Sequence, residues 1–138
     1  MSNKTKITVE AKIDAPVKKV WDCYTKPEHI INWNFASDDW HCPRAENDLT
    51  VGGKLNSRME AKDGSFGFNF EAVYDEVIYQ KKIAYTMMDG RQAVTNFEQH
   101  DSKTKVSTTF DAEQENSVDM QRAGWQAILN NFKKYVEN

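Results

Sequence analysis

Apolar and polar residues alternate with period two through Ile7-Thr8-Val9-Glu10-Ala11-Lys12-Ile13, which predicts a strand with one buried face. The period changes after Asp14. Val17, Val20, Trp21 and Tyr24 fall on one side of a short helix. Asp14 is its candidate N-cap, and Pro16 stands in its first turn, where the missing N–H has no partner to lose. Lys26-Pro27 ends that helix, and Glu28 to Trp33 predicts a second short one with Ile30, Ile31 and Trp33 as its apolar members. No clean period survives from Asn34 to Asn47, so a long loop is expected there. Leu49-Thr50-Val51 then leads into Gly52-Gly53, a bend or bulge signal within sheet sequence.

Period two returns in the middle of the chain. Leu55 to Met59 alternates, Asp63-Gly64 predicts a hairpin turn, and Phe66, Phe68, Phe70, Ala72 and Tyr74 share one face of the next strand, with Asn69 and Glu71 on the other. Ile83, Tyr85 and Met87 repeat the pattern, followed by a turn at Asp89-Gly90. Ala93, Thr95 and Phe97 precede a polar turn at His100 to Lys103, and Val106, Thr108 and Phe110 complete an antiparallel meander. The last segment returns to helical spacing. Val118, Trp125, Ile128, Leu129, Phe132, Tyr135 and Val136 form one broad stripe, with Asn116 or Ser117 as the N-cap and Lys133 and Lys134 near the negative end of the helix dipole. This helix carries the only long apolar stripe that can cover the apolar face of the sheet. The expected fold is therefore α+β, a curved antiparallel sheet of about six or seven strands wrapped around a long C-terminal helix, with two short helices after the first strand.

Composition narrows the function classes. A length of 138 residues predicts a single domain over 1–138. The 39% hydrophobic content is low, but 12% of residues are aromatic, which argues for a folded chain. A net charge of −3 without a Lys/Arg cluster argues against nucleic acid, and no apolar run approaches membrane-spanning length. Met1 to Lys6 is followed by no apolar stretch of signal-peptide length. Cys23 and Cys42 form no CxxC, so a cytoplasmic protein with free thiols is expected.

Phe66, Phe68, Phe70, Tyr85, Met87 and Trp125 are expected to converge between sheet and helix. They would form either a ring-lined cavity for a flat apolar molecule or a filled core. Met59, Met87 and Met88 add adaptable side chains. Asp38, Asp39, His41 and Cys42 are the one local cluster of metal-ligand types, but loop neighbours rarely meet ligand geometry, and no metal site is expected. His29 and His100 are expected to be exposed. Among the acid/base candidates Arg58, Glu60, Glu71, Asp75 and Glu76, period two places Glu71 on the convex face, leaving Tyr74 and Tyr85 as the better internal proton donors. No Ser-His-Asp order, phosphate loop or inward carboxylate pair appears. No catalytic residue and no cofactor are therefore assigned.

Ala15-Pro16 with Val20-Trp21 resembles the AP-x-x-x-VW opening of the START/Bet v 1-like superfamily, also called the helix-grip or SRPBCC fold. Lys26-Pro27-Glu28-His29 with Trp33, Asp48-Leu49-Thr50-Val51-Gly52-Gly53, and Gly124-Trp125 with Leu129 resemble motifs of its subfamily similar to the C-terminal domain of the activator of Hsp90 ATPase. The resemblance runs from Ile7 to Val136 in family order. Two positions depart from it: Asn34-Phe35-Ala36 replaces the usual W-x-x-P continuation, and Ala72 stands where a Gly is usual. The resemblance implies a cavity that binds a small hydrophobic or aromatic ligand, with Trp33, Met59, Phe68, Phe70, Tyr85, Met87, Phe97, Trp125 and Leu129 as the expected contacts. It also implies two alternatives, an interaction module that contacts an Hsp90-type chaperone or a second copy of itself, and an enzyme like the superfamily's cyclases or hydrolases.

Overall fold

The computed structural model describes residues 5–138; the expectation drawn from Met1–Lys6 lies outside it for residues 1–4. Strand β1 (Lys6–Ile13) buries Ile7, Val9 and Ile13 in alternation. Helix α1 (Val17–Thr25) and the short α2 (Pro27–Ile30) follow. Six further strands form a meander: β2 (Trp40–Asn47), β3 (Lys54–Ala61), β4 (Gly67–Ile78), β5 (Lys82–Met87), β6 (Gln92–His100) and β7 (Lys103–Asp111). The sheet order β1-β7-β6-β5-β4-β3-β2 puts β1 and β2 on opposite edges, so the two short helices carry the chain across one end of the sheet. Helix α3 (Val118–Glu137) closes the fold. This is the curled antiparallel sheet and C-terminal helix of a helix-grip fold.

Three local expectations are corrected. Asp14 does not cap α1: the helix begins after Pro16 without a side-chain cap, and the Val17 N–H donates instead to Gln99 Oε1 at 2.8 Å, from β6. The second helix ends at Ile30, and Trp33 follows in turns, with its indole N–H donating to the Cys23 carbonyl at 2.9 Å. The segment expected as a loop from Asn34 to Asn47 contains the edge strand β2, whose pairing with β3 shifts register between His41 and Arg44 around Pro43. A bulge breaks the period-two count, and Pro is tolerated at an edge where no ladder partner needs its N–H.

Two cross-strand rows floor the interior. One runs Ile7, Phe110, Ala93, Tyr85 and Tyr74; the next runs Val9, Thr108, Thr95 and Ile83. The bend before β3 is locked by backbone. Gly52, at φ +85°, donates to the Tyr74 carbonyl at 2.9 Å, and a Cβ on Gly53 would lie 2.2 Å from the Asp48 carbonyl oxygen. That contact gives a physical reason for the second glycine.

Helix α3 is capped by Ser117, whose hydroxyl accepts from the Met120 N–H at 3.1 Å. It is pinned along β1 by Gln126 Nε2 donating to the Glu10 carbonyl (2.9 Å) and by the Asp14 N–H donating to Glu137 Oε2 (2.8 Å). Gly124 lies inside this helix, and a Cβ there would meet nothing within 4 Å. Glycine in a helix interior is less favourable than alanine by roughly 0.5–1 kcal/mol. Gly124→Ala is therefore expected to stabilise the protein by about that amount, read as a shifted denaturation midpoint at unchanged slope.

Candidate functional site

Because α3 runs along β1 and the inner end of α1, it does not cover the β3–β4 side of the curled sheet. The space left there is a cavity of about 290 Å³, near the lower end of the usual range for small-molecule pockets. Leu55, Ser57 and Met59 of β3, Phe68, Phe70 and Tyr74 of β4, and Ile83 and Tyr85 of β5 form its floor. Trp125, Ile128 and Leu129 of α3 form the roof, and Tyr24, Ile30, Trp33 and Asn34 close the helical end. Val9, Thr108 and Arg91 complete the wall.

The aromatic residues divide into three groups, and Phe66, Phe68, Phe70, Tyr85, Met87 and Trp125, expected to converge in one place, are spread among the core, the cavity and the surface. Trp21, Tyr24, Trp33, Phe97 and Phe132 pack on one another, with centroid distances from 4.8 Å (Trp33–Phe132) to 5.4 Å (Tyr24–Phe97). Phe97 belongs to this filled core and does not reach the cavity. Met87 is also buried in the core, one rung closer to the β5–β6 turn, and is absent from the wall. Phe70 and Tyr85 touch edge to face at 5.9 Å within the cavity, and Trp125, half-buried rather than fully enclosed, stacks on Phe110 at 3.9 Å. The third group faces outward. Phe66 precedes β4 and is 63% exposed; it contacts Trp40 at 5.9 Å, and Phe68, 42% exposed at the cavity rim, contacts Trp40 at 6.0 Å. The shared face of 66, 68 and 70 extends past the end of the helical cover, so the same alternation runs from interior to rim to solvent.

Polar groups on the wall are few. The Tyr74 hydroxyl donates to Asn47 Oδ1 at 2.6 Å, and Tyr24, Thr95 and Thr108 form a hydroxyl chain at 3.3 and 2.8 Å. Burial pushes the Tyr74 and Tyr85 phenols well above their ordinary range, so both stay neutral near pH 7. The Ser57 hydroxyl is buried and has no hydrogen-bond partner among the described residues. Arg91, absent from the residues singled out by pattern, is among the described residues the one charged side chain on the wall; as a lone Arg beside the Asp89-Gly90 turn it gave no spacing signal.

The remaining candidates lie elsewhere. Glu71 accepts from Asn56 Nδ2 at 3.3 Å, outside the cavity wall. Arg58 and Glu60 pair with each other at 2.8 Å, Glu76 pairs with Lys82 at 2.7 Å, and Asp75 accepts from the Thr86 hydroxyl at 2.6 Å. His41 turns toward Glu60 (3.6 Å), whereas Cys42 is buried, with its thiol on the Arg44 carbonyl at 3.4 Å, so that cluster diverges. Burial pushes the Cys42 thiol up to about 11. His29 is not free in solvent as expected: its Nδ1 lies 2.6 Å from the Tyr135 hydroxyl and ties α2 to α3. No described helix is long and apolar enough to cross a membrane.

Residues 14–137 match the family described as "Activator of Hsp90 ATPase homolog 1-like protein". Among solved structures, the AHSA1-like protein from Aeromonas hydrophila is 42% identical, with a TM-score of 0.91 over 96% of this chain and 92% of that one. A protein from Cytophaga hutchinsonii is 46% identical, with a TM-score of 0.83 over 96% and 92%. A protein from Chromobacterium violaceum, at 19% identity, shares the fold with a TM-score of 0.85 over 96% and 97%. No curated protein matches the chain.

Proposed function

Since the chain belongs to the activator of Hsp90 ATPase homolog 1-like family, within the START/Bet v 1-like superfamily, we propose that it binds a small, largely aromatic molecule in the cavity between sheet and α3. The observation that carries this reading is the unfilled space itself: about 290 Å³ with a mostly apolar, ring-rich wall, beside a core in which Trp21, Phe97 and Phe132 are closely packed. An apolar guest there would leave water for a preformed surface, the usual basis of small-molecule affinity. Trp33, Met59, Phe68, Phe70, Tyr85, Trp125 and Leu129 are the proposed contacts; Met87 and Phe97 act behind them as support. Among the described residues the wall carries no Asp, Glu, His, Lys or Cys, which favours binding over acid–base catalysis. A cytoplasmic setting suits a chain with two buried free thiols.

A second reading has its own support. The exposed rings of Phe66 and Phe68, with the half-buried Trp40, form an apolar cluster beside the free edge of β2, a feature that suits a protein partner such as an Hsp90-type chaperone. Titration with the neutral probe N-phenyl-1-naphthylamine separates the readings. Saturable one-to-one binding with a blue-shifted emission is expected. Absence of saturable binding would remove the ligand-binding reading and leave the interaction module.

A further inference from the structure

Resting on the cavity-binding reading, we infer that the ligand is not purely apolar but an aromatic carboxylate, whose acidic group is received by Arg91 with the Tyr85 hydroxyl. Both residues line the cavity and are neighbours on the sheet. The Met87 N–H donates to the Arg91 carbonyl at 2.7 Å, and Tyr85, the inward residue before Met87, lies opposite Ala93, two residues after Arg91. The Arg91 charge is also felt at the Tyr85 phenol, where it opposes the effect of burial.

Both have unused donor capacity. Among the described residues nothing bonds the Tyr85 hydroxyl. Arg91 uses Nε for Asp89 (2.7 Å) and leans Nη1 on the Asp111 carbonyl oxygen at 3.4 Å, and among the described residues Nη2 has no partner. The neighbouring anions do not neutralise this end. Asp89 is 55% exposed, so its pairing is weakened by solvent, and the buried Asp111 carboxylate is held by Lys6 Nζ (2.7 Å) and the Gln92 N–H (2.9 Å). A guanidinium and a phenol offer donors in excess over acceptors. An apolar ligand would leave them unpartnered, whereas a carboxylate accepts from both.

Displacement of N-phenyl-1-naphthylamine by 2-naphthoate at pH 7.5, compared with methyl 2-naphthoate, tests this with one ring system and two head groups. The carboxylate is expected to compete at least tenfold more tightly than the ester. Arg91→Gln should bring acid and ester to within about threefold of each other, and Arg91→Lys should restore part of the preference. Tyr85→Phe should weaken the carboxylate more than the ester and serves if Arg91→Gln fails to fold. Equal competition by acid and ester, or a preference that survives both Arg91→Gln and Tyr85→Phe, overturns the inference while the cavity reading stands. Failure of the neutral probe to bind overturns the cavity reading, and the inference with it.

Discussion

Phe132→Ala is expected to destabilise the protein by about 3–5 kcal/mol, the usual loss for a fully buried ring. Phe132 is 0% exposed and meets Trp33 at 4.8 Å and Tyr24 at 5.3 Å, so its removal empties a site walled by large, rigid side chains. Neither neighbour can collapse freely into the gap. Tyr24 is tethered at 3.3 Å to Thr95, and Trp33 is held at 2.9 Å by the Cys23 carbonyl. Trp125→Ala removes a larger ring from the same helix but should cost less, because Trp125 is half-buried and its one ring partner is Phe110 at 3.9 Å. Urea denaturation of both variants distinguishes the two sites. A loss at Trp125 equal to or greater than that at Phe132 would mean that the cavity side is packed as tightly as the core.

That contrast marks how far the chain's pattern could be read. Period two in the meander and the stripe on α3 specify which residues face inward, because burial on one side of a sheet or helix enforces that spacing. The architecture follows from them. Whether an inward residue meets a neighbour or empty space depends on where α3 lies across the sheet, and that is settled by contacts remote in sequence. The hydrogen bonds from Gln126 to Glu10 and from Asp14 to Glu137 place the helix over β1; neither has a local signature. Hence Phe97 and Phe70, indistinguishable by pattern, lie in the core and on the cavity wall. The same limit applies to Gln99, which serves the start of α1 from a distant strand, and to Pro43, whose bulge conceals β2 from a count of alternation. Arg91 was missed because a single cation at a turn has no period at all.

Ser57→Phe is expected to abolish binding of the neutral probe while leaving the protein folded. Ser57 lies on the cavity floor between Leu55 and Met59, opposite Phe70. Its hydroxyl has no partner among the described residues, so the substitution breaks no hydrogen bond among them. An added ring there projects into unfilled volume and covers apolar wall already present, which should offset the loss of freedom of the new side chain. The unfolding free energy from urea denaturation should stay within about 1 kcal/mol of the parent, whereas overpacking a filled core typically costs about 1–3 kcal/mol. Affinity for N-phenyl-1-naphthylamine should fall at least tenfold, or roughly 1.4 kcal/mol, while Ser57→Ala should leave it unchanged. Retained binding in a folded Ser57→Phe protein would place the probe at the surface cluster of Trp40, Phe66 and Phe68 instead of the cavity. Strong destabilisation would show that the space is already occupied by side chains in solution, and either result would favour the protein-partner reading over the ligand-binding one.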